Sequence, residues 1–127
     1  MCYNIYTENE RRFDMPFINT KTNTVITPEK ELSLKEKFGR AISILGKGEG
    51  WLMLNFEDNR NMWFKGRNDM KIAIVEISLF GKATENAYDR MTGEITKIIS
   101  DELGVSPDCV YVKYDEVKYW GWNSSNF

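Results

Sequence analysis

Acid–base chemistry in this chain has to be carried out without histidine, because its 127 residues include none. That absence excludes serine–histidine and cysteine–histidine nucleophilic sites and every metal site built on imidazole ligands. The two cysteines, Cys2 and Cys109, lie far apart and form no CxxC pair, which excludes zinc ribbons and thioredoxin-like redox motifs. If the protein is an enzyme, its acid and base must therefore be carboxylates, lysine, tyrosine or a chain terminus.

The charge and hydropathy of the chain argue against nucleic-acid and membrane partners. Its 17 basic and 19 acidic residues give a net charge of −2, so there is no surplus of positive charge to attract nucleic acid or anionic lipid. The longest apolar runs are four residues, as in Trp51–Leu54, whereas a membrane helix needs about 20. The first residues lack the apolar region of a secretory signal peptide. We therefore expect a cytoplasmic protein, or one secreted by a route that needs no signal peptide.

The helices that would position any site form a repeated pattern. Thr27 followed by Pro28 is typical of a helix start, because a hydroxyl caps the first turn and proline fits there, and Gly46 would end that helix. Thr84 and Gly104 mark a second helix 57 or 58 positions later. Apolar residues recur between these marks at helical spacing. They are Leu34, Phe38, Ala41, Ile42 and Leu45 in the first helix, and Tyr88, Met91, Ile95, Ile98, Ile99 and Leu103 in the second.

A strand is predicted on each side of each helix. The four strands are Phe17–Asn23, Trp51–Glu57, Lys71–Phe80 and Cys109–Tyr114. The second strand of each unit begins five residues after the glycine that ends the helix, so both halves keep the same β-α-β distances. Right-handed crossovers of two such units predict an α/β (α+β) fold, a four-stranded mixed sheet with both helices on one face.

The other face of the predicted sheet has no helix layer. Apolar residues on it need a partner, so we expect an oligomer. Short extra strands at Met62–Phe64 and Tyr119–Trp122 are candidates for extending the sheet edge of a neighbouring subunit. Residues 1–15 lie outside the repeat and lack periodicity. They are interpreted as an N-terminal extension, either a tail or a mis-set start, before a domain that spans residues 16–127.

Two C-terminal segments carry the most specific motifs, Ser106-Pro107-Asp108-x-Val110-Tyr111 and Gly121-Trp122-Asn123-x-Ser125-x-Phe127. Weaker motifs are Met15-Pro16, Thr22-Asn23, Gly46-Lys47, Phe64 with Gly66, and Gly81. With these motifs the chain from Met15 onward resembles the macrophage migration inhibitory factor (MIF) family of the tautomerase superfamily.

The resemblance implies a homotrimer with active sites between subunits and an N-terminal proline as catalytic base. The implied reaction is keto–enol tautomerisation of small aromatic α-keto acids such as phenylpyruvate, and of dopachrome, without a cofactor or metal. Pro16 would be the base, and Lys47 would hold the substrate carboxylate. The other residues implied to bind substrate are Trp51, Phe80, Trp120, Trp122 and Phe127, together with Tyr111 and Lys113 from the adjacent subunit.

A free N-terminal proline suits this chemistry for a physical reason. An α-amino group has a pKa of about 8, and both desolvation by aromatic side chains and the positive charges of Lys47 and Lys113 would lower that pKa. A neutral amine can take a proton from the carbon beside a carbonyl, and the lysines would stabilise the enolate. As numbered, however, Pro16 follows Met15, and its nitrogen is then a tertiary amide without basicity.

Two hypotheses therefore stay open. In the first, the protein is a tautomerase whose active form begins at Pro16, because translation starts at Met15 and that methionine is removed. In the second, it is a non-catalytic MIF-like binding or interaction protein in which the extension blocks Pro16. The sequence is compatible with either interpretation.

Two site residues depart from the well-known members of the family. They usually carry asparagine where this chain has Lys113 and tyrosine where it has Trp51, so we expect tighter binding of anionic substrates and a pocket rim without that hydroxyl. The candidates also have purely structural interpretations. Pro16 suits the start of a strand, Lys47 a surface position beside a helix end, Lys113 a solvent-facing position and Tyr111 the core. Packing between subunits would explain the pair Trp120 and Trp122 as well as a substrate pocket would.

Overall fold

The computed structural model describes residues 15–127. Residues 1–14, nearly all of the predicted extension, lie outside the described residues. The strands are β1 (Pro16–Thr22), β2 (Met53–Glu57), β3 (Ala73–Phe80), β4 (Val110–Val117), β5 (Gly121–Trp122) and β6 (Ser125–Asn126), and the α-helices are α1 (Pro28–Ala41) and α2 (Glu85–Leu103). Short 3₁₀ turns occupy Ile42–Leu45, Glu49–Trp51 and Pro107–Cys109.

The sheet topology confirms the predicted fold. Four strands form one mixed sheet in the order β2-β1-β3-β4, and β5 and β6 form a separate hairpin. β1 pairs in parallel with β2, β3 pairs in parallel with β4, and β1 and β3 are antiparallel neighbours. Each β-α-β unit thus supplies one parallel pair, and the two units join at the central β1–β3 pairing.

The residues that were predicted to cap and to end the two helices do so in the structure. The hydroxyls of Thr27 and Thr84 each accept a hydrogen bond from the backbone N–H three residues further on. Gly46 and Gly104 have φ angles of 75° and 70°, the left-handed conformation in which glycine carries no steric penalty. The first helix is regular only to Ala41, and a 3₁₀ turn continues from there to Gly46.

The core lies between the two helices and one face of the sheet. Residues along β1 and β3 alternate between buried and half-buried, the pattern of strands with one covered face. The predicted helical stripes supply the helix side of the core, with Tyr88 half-buried at its margin. Their fully or nearly fully buried members are Leu34, Phe38, Ala41, Ile42, Leu45, Met91, Ile95, Ile98, Ile99 and Leu103.

Three strands begin later than predicted, and β3, expected from Lys71, begins at Ala73. The expected starts at Trp51 and Cys109 are instead the last residues of the 3₁₀ turns Glu49–Trp51 and Pro107–Cys109. Strand pairing in these places begins at Met53 and Val110. In both units a 3₁₀ turn leads into the strand, and the pattern of apolar residues does not predict that turn.

The uncovered face is less apolar than the sequence analysis expected. Its middle is crossed by a polar band that consists of Asn19, Lys21, Glu57, Glu76 and Lys113. The Glu76 carboxylate lies 2.9 Å from the Lys21 ammonium and 3.6 Å from the Lys113 ammonium, and Asn19 donates to Glu57 at 3.0 Å. These polar and charged groups pair with one another within the sheet. Burial of apolar surface is therefore not the only factor that decides which partner covers this face.

The predicted extra strands form only in part. Within Met62–Phe64 only Phe64 makes a bridge, to Arg67 across a tight turn. Of Tyr119–Trp122 only the last two residues are in a strand, which pairs with β6 and not with the main sheet. Within residues 15–127, neither segment pairs with the four-stranded sheet, and Trp63 remains 68% exposed. Across residues 15–127, no helix is long and apolar enough to cross a membrane.

Candidate functional site

A cavity of about 1050 Å³ opens where β1 begins and β4 ends. Its walls come from the start of β1, the turn before β2, and the segment that leads into the C-terminal hairpin. Pro16, Trp51, Trp120 and Trp122, all predicted site residues, line it together. The folded chain thus brings together four candidates that are up to about a hundred positions apart in sequence.

Pro16 is held at the cavity by the central pairing of the sheet. It is the first residue of β1 and lies opposite Leu79 of β3. Proline has no backbone N–H to donate, so the first position of a strand is where a sheet tolerates it. The pairing continues one residue further back, because the N–H of Phe80 donates to the carbonyl oxygen of Met15 at 3.1 Å.

Lys47 follows α1 and the 3₁₀ turn after it, and its side chain reaches the end of the sheet at which Pro16 lies. The left-handed conformation of Gly46 turns the chain inward, and only 5% of Lys47 is exposed. Its ammonium donates to the carbonyl oxygen of Phe80 at 3.3 Å. Lys47 is therefore a buried cation and not a surface lysine. Phe80 joins this cation to Met15, since its C=O meets Lys47 while its N–H meets Met15.

The aromatic side chains form two contacts beside the cavity. The rings of Trp51 and Trp122 meet edge to face with centroids 4.9 Å apart, and those of Phe80 and Phe127 lie 5.7 Å apart. The N–H of Phe127 donates to the carbonyl oxygen of Trp120 at 3.1 Å, which ties the chain end to the hairpin. Such aromatic contacts stabilise by packing and by ring geometry.

Tyr111 and Lys113 lie elsewhere on the chain. Tyr111 pairs with Ile74 on β3, whereas Phe80, at the cavity end of that strand, pairs with Val117. Six residues of strand separate Tyr111 from Val117, a distance of about 20 Å. Tyr111 is 60% exposed. A site that includes Tyr111 and Lys113 with Pro16 therefore needs a second copy of the chain.

The charge of Lys113 is balanced by carboxylates of its own chain. Its ammonium lies 3.6 Å from Glu76 and 3.8 Å from Asp115. The hydrogen bond from Lys21 holds the pKa of Glu76 below its ordinary value, despite partial burial, and Glu76 in turn raises the pKa of Lys21. Glu76 is therefore ionised at neutral pH, and Lys113 faces two negative charges in the single chain.

The structure adds cavity residues that the sequence analysis did not select. Met15, Phe17, Met53, Ser78 and Val117 all line the cavity. Strand alternation offered a signal for Phe17 and Ser78, since they are register partners on the uncovered face. Met15 was noted only as part of the Met15-Pro16 motif, and no pattern in the sequence marked it as a residue of the cavity wall.

The arrangement suits a flat apolar ligand with an anionic end. Tryptophan side chains of the cavity wall provide large apolar surfaces, and the buried Lys47 lies at the same end of the sheet, where it donates to the carbonyl oxygen of Phe80. Among residues 15–127 no group of three or more cysteine or acidic side chains is placed to hold a metal ion.

Comparison with known proteins identifies the family. The family model described as macrophage migration inhibitory factor (MIF) matches residues 15–127. Mouse macrophage migration inhibitory factor is 27% identical over 117 residues, which cover 89% of this chain and 99% of the mouse protein. The structure of Leishmania major MIF2 superposes with a TM-score of 0.84 at 29% identity, covering 91% of this chain and 99% of that one. A homologue from Prochlorococcus marinus gives 0.79 at 24% identity, with coverages of 87% and 98%. The chain belongs to the macrophage migration inhibitory factor family.

Proposed function

We propose that the protein is a keto–enol tautomerase of small aromatic α-keto acids, of the phenylpyruvate and dopachrome type. The general base is the nitrogen of Pro16, in a chain that begins at that residue. The observation that carries the proposal is the position of Pro16 at a cavity walled by Trp51, Trp120 and Trp122, with the buried cation Lys47 at the same sheet end.

The proton transfer balances without a cofactor. The secondary amine of a terminal Pro16 removes a proton from the carbon beside the keto group. The electron pair of that C–H bond forms the C=C bond, and the π pair of the carbonyl moves to its oxygen. The protonated amine then returns a proton, directly or through water, to the enolate oxygen, which completes the enol, and the reverse sequence gives the keto form. Burial of Pro16 and the nearby positive charge of Lys47 favour the neutral amine, because both disfavour a second positive charge there.

Lys47 stabilises the anionic species of this reaction. Its ammonium would bind the carboxylate of the substrate and attract the charge that develops on the enolate oxygen. Burial supports this role, since an ion pair in a poorly solvated site is stronger than one at the surface.

We also propose a homotrimer, in which Tyr111 and Lys113 of one subunit meet the cavity of the next. The support lies at the two edges of the sheet. Beside edge strand β2, a groove of about 550 Å³ is lined by Leu32, Leu54 and Phe56. At the other edge, Tyr111 presents an exposed ring against Phe64. Contacts between two different edges are heterologous, and such contacts close into a ring when the rotation fits.

A second candidate function is a non-catalytic MIF-like binding protein. The observation that favours it is the hydrogen bond from Phe80 to the Met15 carbonyl, because that carbonyl is part of the amide that makes Pro16 non-basic in the 127-residue chain. The two functions differ in their dependence on the chain start.

The test is an assay of two forms side by side. The chain that begins at Pro16 and the 127-residue chain are each incubated with enolic phenylpyruvate, and loss of the enol absorbance is followed. We expect turnover only in the first form. Comparable turnover by both forms, with mass spectrometry confirming an intact extension, would eliminate Pro16 as the base.

A further inference from the structure

We propose that Ser78 is a further catalytic residue of the cavity. Its hydroxyl donates a hydrogen bond to the keto oxygen of the substrate and keeps that bond as the oxygen becomes an enolate. This inference rests on the proposed function and deepens it. Pro16 takes the proton and Lys47 binds the carboxylate, so the oxygen on which negative charge develops still needs a hydrogen-bond donor of its own.

The first support is the place of Ser78 in the cavity wall. On the uncovered face of the sheet it stands in one row with Phe17 and Met53, because Phe17 is the register partner of both. All three residues line the cavity. The other described residues of the wall are glycines or have apolar or tryptophan side chains. Ser78 is thus the one described wall residue whose side chain carries an oxygen.

The second support is that this hydroxyl is available to a ligand. Ser78 is half-buried, and within residues 15–127 no hydrogen bond joins its hydroxyl to another group. The hydroxyl of Thr22, on the opposite face of the sheet, is instead bonded to the carbonyl oxygen of Ile72 at 2.7 Å. A ligand that fills the cavity displaces water from Ser78, and a hydroxyl left unpaired there costs free energy. The ligand should therefore offer it an acceptor.

The third support is the distance between Ser78 and the proposed base. Pro16 lies opposite Leu79, and Ser78 is the residue before Leu79 on β3. Strands lie about 4.8 Å apart and rise about 3.4 Å per residue, so the α-carbons of Pro16 and Ser78 are about 6 Å apart. A substrate carbon about 3.5 Å from the Pro16 nitrogen can therefore carry, two bonds away, an oxygen within reach of the Ser78 hydroxyl.

Ser78 and Lys47 flank the proposed base. The ammonium of Lys47 donates to the carbonyl oxygen of Phe80, the residue after Leu79, whereas Ser78 precedes Leu79. An α-keto acid carries its carboxylate and its keto oxygen on adjacent carbons. With the carboxylate at Lys47 and the keto oxygen at Ser78, the next carbon, which loses the proton, would face Pro16.

The bond from Ser78 strengthens during the reaction without a transfer of its proton. As Pro16 takes the proton, the C–H electron pair forms the C=C bond and the π pair of the carbonyl moves to its oxygen. The Ser78 hydroxyl keeps its own proton and donates to this oxygen throughout. A hydrogen bond to a charged oxygen is roughly twice as strong as one to a neutral oxygen. Ser78 therefore stabilises the enolate more than the keto form, and its loss should lower kcat more than it raises KM.

The kinetic test compares variants of the chain that begins at Pro16, which contains every described strand and helix. MIF2 of Leishmania major, which this fold matches over 99% of its length, shows that such a unit folds alone. Ser78→Ala removes the hydroxyl without adding bulk and should lower kcat for phenylpyruvate roughly a hundredfold, with a much smaller change in KM. Full activity of Ser78→Ala would overturn the proposal.

A matched pair of variants separates the hydroxyl from side-chain size. Ser78→Thr keeps the hydroxyl, and Ser78→Val puts a methyl group in its place on a side chain of the same shape. Ser78→Thr should retain most of the activity, whereas Ser78→Val should lose as much as Ser78→Ala. Ser43→Ala, which removes an exposed hydroxyl from the turn after α1, should be as active as the unaltered chain. Equal kcat for the threonine and valine variants would contradict a role for the hydroxyl.

A binding test identifies the substrate atom that Ser78 contacts. 3-Phenylpropanoate has no oxygen on the carbon beside its carboxylate, and 3-phenyllactate has a hydroxyl there. In isothermal titration calorimetry, the unaltered Pro16-terminal chain and its Ser78→Thr variant should bind 3-phenyllactate roughly twofold to tenfold more tightly than 3-phenylpropanoate, the range for one hydrogen bond. Ser78→Ala and Ser78→Val should lose this preference. A preference that survives in both would refute the contact.

The role of Ser78 and the tautomerase proposal can fail separately. Turnover that is the same with and without the Ser78 hydroxyl would overturn the role of Ser78 and leave the tautomerase standing. An unaltered Pro16-terminal chain that leaves phenylpyruvate unchanged, but whose preference for 3-phenyllactate depends on that hydroxyl, would refute the tautomerase. Ser78 would then remain the residue that binds this oxygen.

Discussion

The N–H of Phe80 donates to the carbonyl oxygen of Met15 at 3.1 Å, so the pairing of β1 with β3 extends past the proline that begins β1. This hydrogen bond fixes the peptide group that contains the Pro16 nitrogen. A chain that begins at Pro16 lacks this bond, and there the atom proposed to act as base is positioned by the place of Pro16 opposite Leu79 in the central strand pair and not by a loop. Rigid elements hold reacting groups more accurately than loops do.

Replacement of Pro16 tests the base directly. In the chain that begins at residue 16, Pro16→Gly should lower kcat/KM for phenylpyruvate by roughly two to four orders of magnitude, the usual contribution of a positioned general base. The rate of enol loss measures the effect. The same activity in both proteins would remove the mechanism.

Replacement of Lys47 should act mainly on substrate binding. In the Pro16-terminal chain, Lys47→Ala should raise KM for phenylpyruvate more than it lowers kcat, since a carboxylate contact is largely equal in the ground and transition states. Lys97→Ala is the control, because Lys97 is an exposed lysine of α2 paired with Asp101. A kcat that falls further than KM rises would assign Lys47 to the enolate instead.

The oligomeric state can be measured on the 127-residue chain. Multi-angle light scattering should give three times the chain mass of 14.9 kDa. Tyr111→Asp should dissociate the trimer, because a charge replaces an exposed aromatic ring at the proposed contact. Val25→Asp alters another exposed apolar residue in the loop before α1 and should leave the trimer intact. A stable monomer for the unaltered chain would refute the assembly.

The polar band predicts a pH-dependent contribution to stability. The folded pKa of Glu76 is lowered, chiefly by the hydrogen bond from Lys21, so its carboxylate stabilises the fold above the unfolded pKa of about 4.3. This stabilisation is lost as the pH falls through the folded pKa.

Glu76→Gln should therefore lower the free energy of unfolding by about 1 kcal/mol at pH 7, and by progressively less as the pH falls through the folded pKa of Glu76. Urea titrations at pH 7 and near pH 3 measure it, with the exposed Glu94→Gln as control. An equal loss of unfolding free energy at both pH values would show that the charge of Glu76 does not stabilise the fold.

The sequence predicted those elements whose signals are local. Thr27 and Thr84 cap helices by bonds to their own first turns, and Gly46 and Gly104 end them because of their backbone freedom. The predicted first residues of the strands were less accurate, because the 3₁₀ turns before β2 and β4 depend on tertiary packing. Motifs at Pro16 and in the C-terminal segment pointed to residues that line one cavity, among them Pro16, Trp120 and Trp122. The burial of Met15, the polar band and the remote position of Tyr111 depend on contacts between distant strands, which no local pattern encodes.

The duplication of the β-α-β unit provides an internal comparison for the site. With the offset of 57 positions that relates Thr27 to Thr84, Pro16 corresponds to Ala73 and Met15 to Ile72. Ile72 is 4% exposed and Met15 3%, so both halves fill the same place with an apolar side chain. The residue after the helix-ending glycine differs between the halves, since Val105 is buried and apolar where Lys47 is buried and charged. A chain that starts at Pro16 therefore lacks the buried apolar side chain at the first of these two equivalent positions. The half that lacks it is also the half in which the buried residue after the glycine, Lys47, is charged. The second half therefore keeps two apolar side chains at the positions where the first half has a removable methionine and a buried lysine.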